Sequence, residues 1–270
     1  LKLFSSSATK KTYLFYFSYC TIILNSYICF YHKNTMLTID PKDLSTKDLH
    51  GFLLGSIGPR PIALASTLDE KERPNLSPFS FFNVFSANPP IAIFSPARRV
   101  RNNTTKHTLK NASVTKEVVI NVVSYNIVEQ TSLSSTEYEE GVNEFVKAGF
   151  TPIKSDIVKP FRVKESPIQL ECIVKDIISL GEEGGAGNLV ICEIVKMHIS
   201  ESILNPDQQI DPHKIDLVGR MGANWYCRAS GESIFKIQKP NSKIGIGYDQ
   251  IPARIRSSFI LSGNDLAKLA

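Results

Sequence analysis

The sequence predicts a mainly β protein, an antiparallel barrel or sandwich that carries a few helices. Short apolar runs of strand length recur from residue 60 onward, and turn-forming residues such as Gly and Pro separate them. Helical periodicity is confined to a few short segments. No GxGxxG motif opens a helix after a strand, which disfavours a doubly wound nucleotide-binding fold.

Strands are predicted, in chain order, at residues 60–67, 79–85, 91–94, 118–123, 168–180 and 189–199. The first is entered through Gly58-Pro59, and the polar run LDEKERPN after it predicts a hairpin connection. The continuous apolar run VVINVV at 118–123 predicts a strand that is buried on both faces.

Helices are predicted at about 105–112, 127–134 and 143–148. The Gly-rich run GEEGGAGN at 181–188 lacks a Lys-Ser/Thr ending and a strand-to-helix context, so we expect a hairpin loop rather than a phosphate loop. The domain is predicted to span 36–232. Residues 233–270 have little strand pattern and are expected to form an extended arm on the body or on a partner subunit.

Composition and charge describe an ordinary globular chain. The 270 residues are 42% hydrophobic and 21% charged, which excludes a collagen-like, disulfide-scaffold or wholly disordered protein. Four of the 31 basic residues, and none of the 26 acidic ones, lie in residues 1–35, so the remainder carries 27 basic against 26 acidic residues. Bulk charge therefore gives no support for nucleic-acid binding.

Residues 1–35 differ from the rest of the chain. They contain no Gly, Pro, Asp or Glu, and the run 13–31, preceded by Lys10 and Lys11, is about long enough to span a bilayer. We expect an extension outside the fold, either upstream sequence or a signal or anchor. The protein is accordingly expected to be cytoplasmic, with a membrane-tethered form as the alternative if this segment is retained.

The sequence lacks the motifs that are typical of several classes of chemistry. The five Cys contain no CxxC pair, which favours free thiols in a reducing compartment, and the five His have no metal-ligand spacing. No GxSxG motif is present, so a hydrolase is disfavoured and no metal is expected.

Small hydroxyl and amide residues cluster beside aromatic ones, in Ser66-Thr67, in NLSPFSFFN at 75–83, at Ser95 and in RNNTTKHTLKN at 101–111. This composition suits a flat heteroaromatic ligand with a phosphate, for which Lys106 would supply charge and Thr108 and backbone N–H groups would supply hydrogen bonds. The alternative is that Thr104 or Thr105 caps a helix and that Lys106 is solvated.

Several motifs in series resemble a known family. GPRPIALAST, NLSPFSFFNVFSANPPIAIFS, KHTLKN with VVINVVS, ESPIQLEC and RMGANWY occur in order over about residues 50–230. They resemble the flavin reductase-like, FMN-binding split-barrel family, which includes flavoredoxin-like members. The resemblance implies a six-stranded antiparallel split barrel, a homodimer with FMN near the subunit interface, and NADH or NADPH as electron donor.

The resemblance also assigns the binding residues. Those that would border the flavin ring and ribityl chain are Ser66, Thr67, Asn75, Ser77, Pro78, Phe79 and Ser80. Those that would take the phosphate are Ser95, Lys106 and Thr108. Asn111 would shape the loop, and Arg60, Arg220, Gly222 and Tyr226 would be wall or dimer elements. The family commonly has Lys-Asp-Thr where this chain has Lys106-His107-Thr108.

The activity implied is an NAD(P)H:flavin oxidoreductase in which hydride passes from nicotinamide to flavin N5. No catalytic side chain is named, because the cofactor carries the chemistry and solvent provides the proton. Two alternatives remain open, an electron carrier between protein partners that does not oxidise NAD(P)H and a redox-inactive flavin-binding protein. A monooxygenase or another redox protein would be the partner. The sequence does not choose between NADH and NADPH, or between bound FMN and exchangeable flavin.

Overall fold

The computed structural model describes residues 36–239 and 245–270. The chain divides into two units, residues 1–49 and 50–270. In the first unit, the described residues include a short 3-10 helix, Pro41–Asp43. The predictions made for residues 1–35 lie outside the described residues.

The second unit contains all of the strands, and one helix begins in the first unit and ends in the second. The strands are β1 Ala63–Leu68, β2 Pro74–Phe79, β3 Phe82–Ala87, β4 Pro90–Phe94, β5 Glu117–Val122, β6 Pro152–Ile153, β7 Arg162–Val163, β8 Ile168–Ser179, β9 Asn188–Ile199, β10 Val218–Arg220 and β11 Tyr226–Arg228. The helices are α1 Thr46–Ser56, α2 His107–Thr115, α3 Val128–Leu133, α4 Glu144–Ala148, α5 Ala253–Arg256 and α6 Gly263–Leu269.

Seven strands form the main sheet, in the order β2-β1-β5-β8-β9-β4-β3, and every neighbouring pair is antiparallel. The mainly β, antiparallel class is confirmed, but the sheet has one strand more than the six predicted. The aromatic run 79–85 is divided into two strands at Ser80-Phe81. Strand β2 pairs with β1, and the chain then crosses to the other end of the strand order, where β3 pairs with β4. A hydrogen bond from the Ser95 N–H to the Phe81 carbonyl, 2.8 Å long, holds this crossing.

The sheet is rolled around its main core. Phe79 on β2 and Phe94 on β4 lie near opposite ends of the strand order, yet their ring centroids are 5.3 Å apart. Ile120 and Leu170 of the central strands belong to the same buried cluster. A second cluster, which includes Leu64, packs on the other side of β1. Burial on both faces of β5 is therefore confirmed, since Val118 to Asn121 are all buried.

The three predicted helices correspond to α2, α3 and α4. Helix α1 was not predicted, because Gly51 and Gly55 lower its helix propensity and it buries none of its side chains. The guanidinium of Arg60 donates hydrogen bonds to the carbonyls of Leu54 (2.8 Å) and Ile57 and to that of Met221 (2.9 Å). Arg60 therefore fixes the C-terminal end of α1 against the segment that follows β10.

The Gly-rich run 181–188 is the hairpin connection between β8 and β9, as predicted. Its backbone packs directly on the segment after β4. A Cβ atom at Gly184 would lie 3.0 Å from the Cα of Val100, and the Arg98 N–H donates to the Ala186 carbonyl at 2.8 Å. Small residues in this hairpin thus let it support the basic segment 98–101.

Residues 253–256 and 263–269 form short helices where an extended arm was predicted. Cys172 and Cys192 are buried and Cys227 is half-buried, all as free thiols. None of the helices in the described ranges combines the length and the apolar character needed to cross a lipid bilayer.

Candidate functional site

A cleft of about 350 Å³ lies where the end of the barrel meets the start of α2 and the connection between α3 and α4. Strand β2 contributes Asn75 and Ser77 to its wall. Four basic side chains also line it, Arg99, Arg101, Lys106 and His107. Two carboxylates, Glu137 and Glu144, line it as well, so the cleft combines polar strand residues with an excess of basic over acidic side chains.

A buried hydrogen-bond network forms the wall of this cleft. The Oδ1 atom of Asn75 accepts hydrogen bonds from the hydroxyls of Thr108 (2.7 Å) and Thr67 (3.3 Å). Asn75 Nδ2 donates to Glu144 at 2.8 Å, and Asn111 Nδ2 donates to Thr67 at 3.1 Å. Because these residues come from β1, β2, α2 and α4, the network fixes four elements around the cleft.

Glu144 is the acidic end of that network. Burial raises the pKa of its carboxyl group, while hydrogen bonds from the Leu76 N–H and from Asn75 act in the opposite direction. Since the hydroxyl of Thr108 donates to Asn75, it does not donate into the cleft as the sequence analysis predicted. Thr67, Asn75 and Thr108 therefore shape the wall chiefly by bonding to one another.

The first turn of α2 faces the cleft with its backbone donors. The N-cap residue is Lys106, in an extended conformation and with no side-chain cap, so neither Thr104 nor Thr105 caps the helix. Within the described ranges, no acceptor from the chain bonds the N–H groups of His107 and Thr108. Free N–H groups and the helix dipole together make such a turn a binding place for an anion.

Lys106 is half-buried beside this turn. Its Nζ atom lies 5.5 Å from the centroid of the Phe79 ring, which is itself part of the barrel core. Burial and the nearby Arg99 lower the pKa of Lys106, and Glu137 acts in the opposite direction. An anion in the cleft would favour the charged form of this side chain.

Arg99 and Arg101 are site residues that sequence reasoning missed. Arg99 donates from its Nη1 atom to the Thr104 hydroxyl (3.0 Å) and the Thr105 carbonyl (2.6 Å), so its guanidinium lies next to the start of α2. The run RRVR at 98–101, directly before the predicted phosphate segment, is the pattern that could have revealed them.

The predicted residues divide into two groups. Asn75, Ser77, Lys106 and Thr108 line the cleft, and Phe79 lies against Lys106. The others do not line it: Ser66, Thr67, Pro78, Ser80 and Ser95.

Ser66 and Ser95 have surroundings of their own. Ser66 alternates with Thr67 along β1 and so points to the opposite face, where its buried hydroxyl has no hydrogen-bond partner in the described structure. Ser95 accepts a hydrogen bond from the Asn188 N–H at 3.0 Å, which leaves its own hydroxyl proton free to be donated.

A separate polar group lies at the distal end of β8 and β9. Oxygen atoms of Asp156 and Glu171 and a ring nitrogen of His198 lie within 4.8 Å of one another. Lys196 already pairs with Asp156 at 2.9 Å, and His198 Nε2 lies 2.6 Å from Glu171. These contacts satisfy both carboxylates, so the group acts as a structural polar network.

The donor set of the cleft suits a phosphate monoester, because an ammonium, a guanidinium and free N–H groups are the usual partners of phosphate oxygens. An antiparallel rolled sheet with such a cleft at one end is typical of the split-barrel class of proteins. Residues 55–211, more than half of the chain, match the family model of the flavin reductase like domain. The chain therefore belongs to the flavin reductase-like family.

Related proteins agree with this assignment. An uncharacterized protein from Aquifex aeolicus is 34% identical over 196 residues, which is 73% of this chain and 97% of the relative. Nitrilotriacetate monooxygenase component B from Bacillus cereus is 28% identical, with a TM-score of 0.71, over 76% of this chain and all of its own. A Shewanella frigidimarina protein described as having a split barrel domain is 26% identical, with a TM-score of 0.64, over 76% of this chain and all of its own.

Proposed function

We propose that this protein binds FMN and acts as an NAD(P)H-dependent flavin reductase. The observation that carries the proposal is the position of the basic cleft. Lys106, Arg99 and the free N–H groups of α2 lie beside Ser77 on β2, in a chain of the flavin reductase-like family. The cleft therefore provides phosphate ligands next to the strand that would border the flavin ring.

Different residues would hold different parts of the cofactor. Lys106, Arg99 and the N–H groups of His107 and Thr108 would hold the phosphate. Ser77, Pro78 and Ser80, half-buried on β2 and at its end, would border the ribityl chain and the ring. Thr67, Asn75 and the Thr108 hydroxyl would hold these elements in position through their hydrogen bonds. Ser66 and Ser95 are still predicted to contact FMN. Each has a hydroxyl proton that is not donated to any acceptor in the described structure.

Bound FMN would supply the redox chemistry, the acceptance of hydride at N5 from NADH or NADPH. The side chains of this protein bind and orient, and none of them has to transfer a proton, since solvent can do so. His107, where the family commonly has Asp, lines the cleft next to the phosphate ligands. In its protonated form it would add positive charge toward the phosphate.

A homodimer is part of the proposal, because the described chain exposes large apolar side chains on β3, at one edge of the sheet, and on β9. Val84 and Phe85 on β3 are 57% and 65% exposed, and Met197 on β9 is 52% exposed. Strand β3 is also the last strand of the sheet, so its outer edge has no strand partner in the described structure. A second copy that packs on these side chains and along the edge of β3 would remove apolar area and an open strand edge from water.

The electron acceptor would be a protein partner or free flavin. Because the Bacillus cereus structure is a monooxygenase component, a monooxygenase or another redox protein is the class of partner that we propose. An electron carrier that resembles flavoredoxin, reduced by a protein rather than by NAD(P)H, is the alternative that would use the same cleft.

The test is an assay of NADH and NADPH oxidation by the purified chain with and without FMN. We expect oxidation that depends on FMN, with a clear preference for one nucleotide. Flavin binding without oxidation of either nucleotide would favour the electron carrier. Absence of flavin binding would contradict the proposed function.

A further inference from the structure

Glu137 is one of two acidic residues that line the cleft, and the other is Glu144 of the hydrogen-bond network. Glu137 lies in the connection between α3 and α4, residues 134–143, and bridges two arginines. One carboxylate oxygen lies 3.1 Å from Arg99 Nε, and the other lies 2.5 Å from Arg101 Nη2. The two guanidinium groups that face the cleft thus share one carboxylate.

Arg99 is held in place by contacts other than Glu137. Its Nη1 atom donates hydrogen bonds to Thr104 and Thr105, and its backbone N–H donates to the Thr104 carbonyl at 2.9 Å. The guanidinium would therefore stay beside the start of α2 if the Glu137 carboxylate moved away. Glu137 is not needed to position Arg99, and it occupies a place that another anion could take.

The connection that carries Glu137 has a second attachment outside the cleft. Glu140 pairs with Arg73 at 3.4 Å and with Lys110 at 3.2 Å. Backbone hydrogen bonds at both ends of the connection, from Thr136 to Leu133 and from Val142 to Glu139, also do not involve the arginines, so the backbone can keep its place while the Glu137 side chain is released. The Glu137 side chain is 45% exposed, so its release exchanges an ion pair for hydration at small cost.

We propose that Glu137 competes with the phosphate of the flavin for Arg99 and Arg101 and so weakens FMN binding. This inference rests on the proposed function and deepens it. A carboxylate is a planar oxyanion and a phosphate is a tetrahedral one, and both pair with guanidinium groups. When one of them occupies the N–H donors, the other is excluded. Glu137 thereby makes bound FMN easier to exchange.

The test compares Glu137→Gln with the unmodified full chain in flavin titrations with FMN and with riboflavin, which lacks the phosphate. We expect the variant to bind FMN about two- to fivefold more tightly, the effect of an exposed ion pair, and to bind riboflavin unchanged. Glu139→Gln is the matched control, since Glu139 is exposed, lies in the same connection and has no ion pair in the described ranges. Its FMN affinity should equal that of the unmodified chain.

Three results would overturn the inference. FMN affinity that is unchanged or weaker in Glu137→Gln would mean that the carboxylate does not compete. Equal tightening for FMN and riboflavin would mean that it does not act through the phosphate. A failure of the unmodified chain to bind either flavin would overturn the proposed function and this inference with it, whereas the first two results leave flavin binding intact.

Discussion

Lys106 is the residue at which the phosphate site can be tested most simply. It is the N-cap of α2, its ammonium lies over the Phe79 ring, and burial lowers its pKa. In the described structure no side-chain carboxylate bonds to Lys106. A ligand anion therefore stabilises this half-buried cation more than it would stabilise a solvated lysine. Its contribution should therefore appear in phosphate binding rather than in folding.

We predict that Lys106→Ala weakens FMN binding by about 1.5–3 kcal/mol, the range for a hydrogen bond to a charged group. Flavin fluorescence titration measures the change. Lys110→Ala is the matched control, because Lys110 is exposed on the same helix and pairs with Glu140. An unchanged dissociation constant in Lys106→Ala would remove this residue from the phosphate site.

Glu171 stabilises the fold rather than the cleft. Its buried carboxylate accepts hydrogen bonds from the N–H groups of Asp156 (2.8 Å), Ile157 (2.7 Å) and Val158 (3.1 Å), and it contacts His198. Burial by itself would raise the pKa, but these donors outweigh it and lower the pKa of Glu171 to about 2. The carboxylate therefore ties the loop after β6 to strand β8.

We predict that Glu171→Gln lowers the free energy of unfolding by about 3 kcal/mol at neutral pH, because it removes a buried charged acceptor. Since the pKa is lower in the folded state, the contribution is complete above the unfolded pKa of about 4.3 and is lost as the pH falls toward about 2. Urea unfolding at neutral pH and near pH 3 measures this dependence.

The control for that experiment is Glu193→Gln on β9, where the carboxylate pairs with Lys175 near the surface. We expect it to change the unfolding free energy by less than about 1 kcal/mol. An equal loss of stability in Glu171→Gln at both pH values would contradict the role of the ionised carboxylate.

Strand β3 exposes large apolar side chains, as an interface strand does in an isolated subunit. Phe85 and Val84 project from an edge strand, and exposed apolar edges favour association. Met197 on β9 is a further exposed apolar side chain of the same sheet. The proposed dimer contact should therefore depend on β3.

We predict that Phe85→Glu converts the dimer to a monomer, because the charge would be buried unpaired at the contact. Size-exclusion chromatography with light scattering measures the mass. Val146→Glu on α4 is the control, since Val146 is 75% exposed at a different place and should leave the dimer intact. A Phe85→Glu variant that stays dimeric, or an unmodified chain that is already monomeric, would contradict the proposed interface.

Elements with strong periodicity could be predicted from the sequence. VVINVV became β5, and the polar run after β1 became a hairpin, because burial and turn chemistry act locally there. The aromatic run 79–85 could not be divided correctly, since only the pairing of β2 with β1 and of β3 with β4 separates it into two strands. Helix α1 was missed because its sequence has neither a buried face nor high helix propensity.

At the scale of the whole molecule, the cleft joins segments that are distant in the sequence. Ser77, Lys106 and Glu137 come from β2, the start of α2 and the connection before α4. The family motifs indicated Lys106 and Ser77 from the sequence. The basic run at 98–101 could have pointed to Arg99, but Glu137 could not be found from the sequence, because charged residues in loops are usually solvated and only the fold brings this pair to within 3.1 Å.

The most direct test of the central claim is an anaerobic absorbance spectrum of the purified chain with FMN, recorded before and after addition of NADH and then NADPH. We predict a flavin band that is perturbed by the protein and bleaches within seconds after one of the two nucleotides is added. A perturbed band that stays oxidised with both nucleotides would contradict the reductase and favour the electron carrier. An FMN band that the protein does not perturb would contradict flavin binding in the basic cleft altogether.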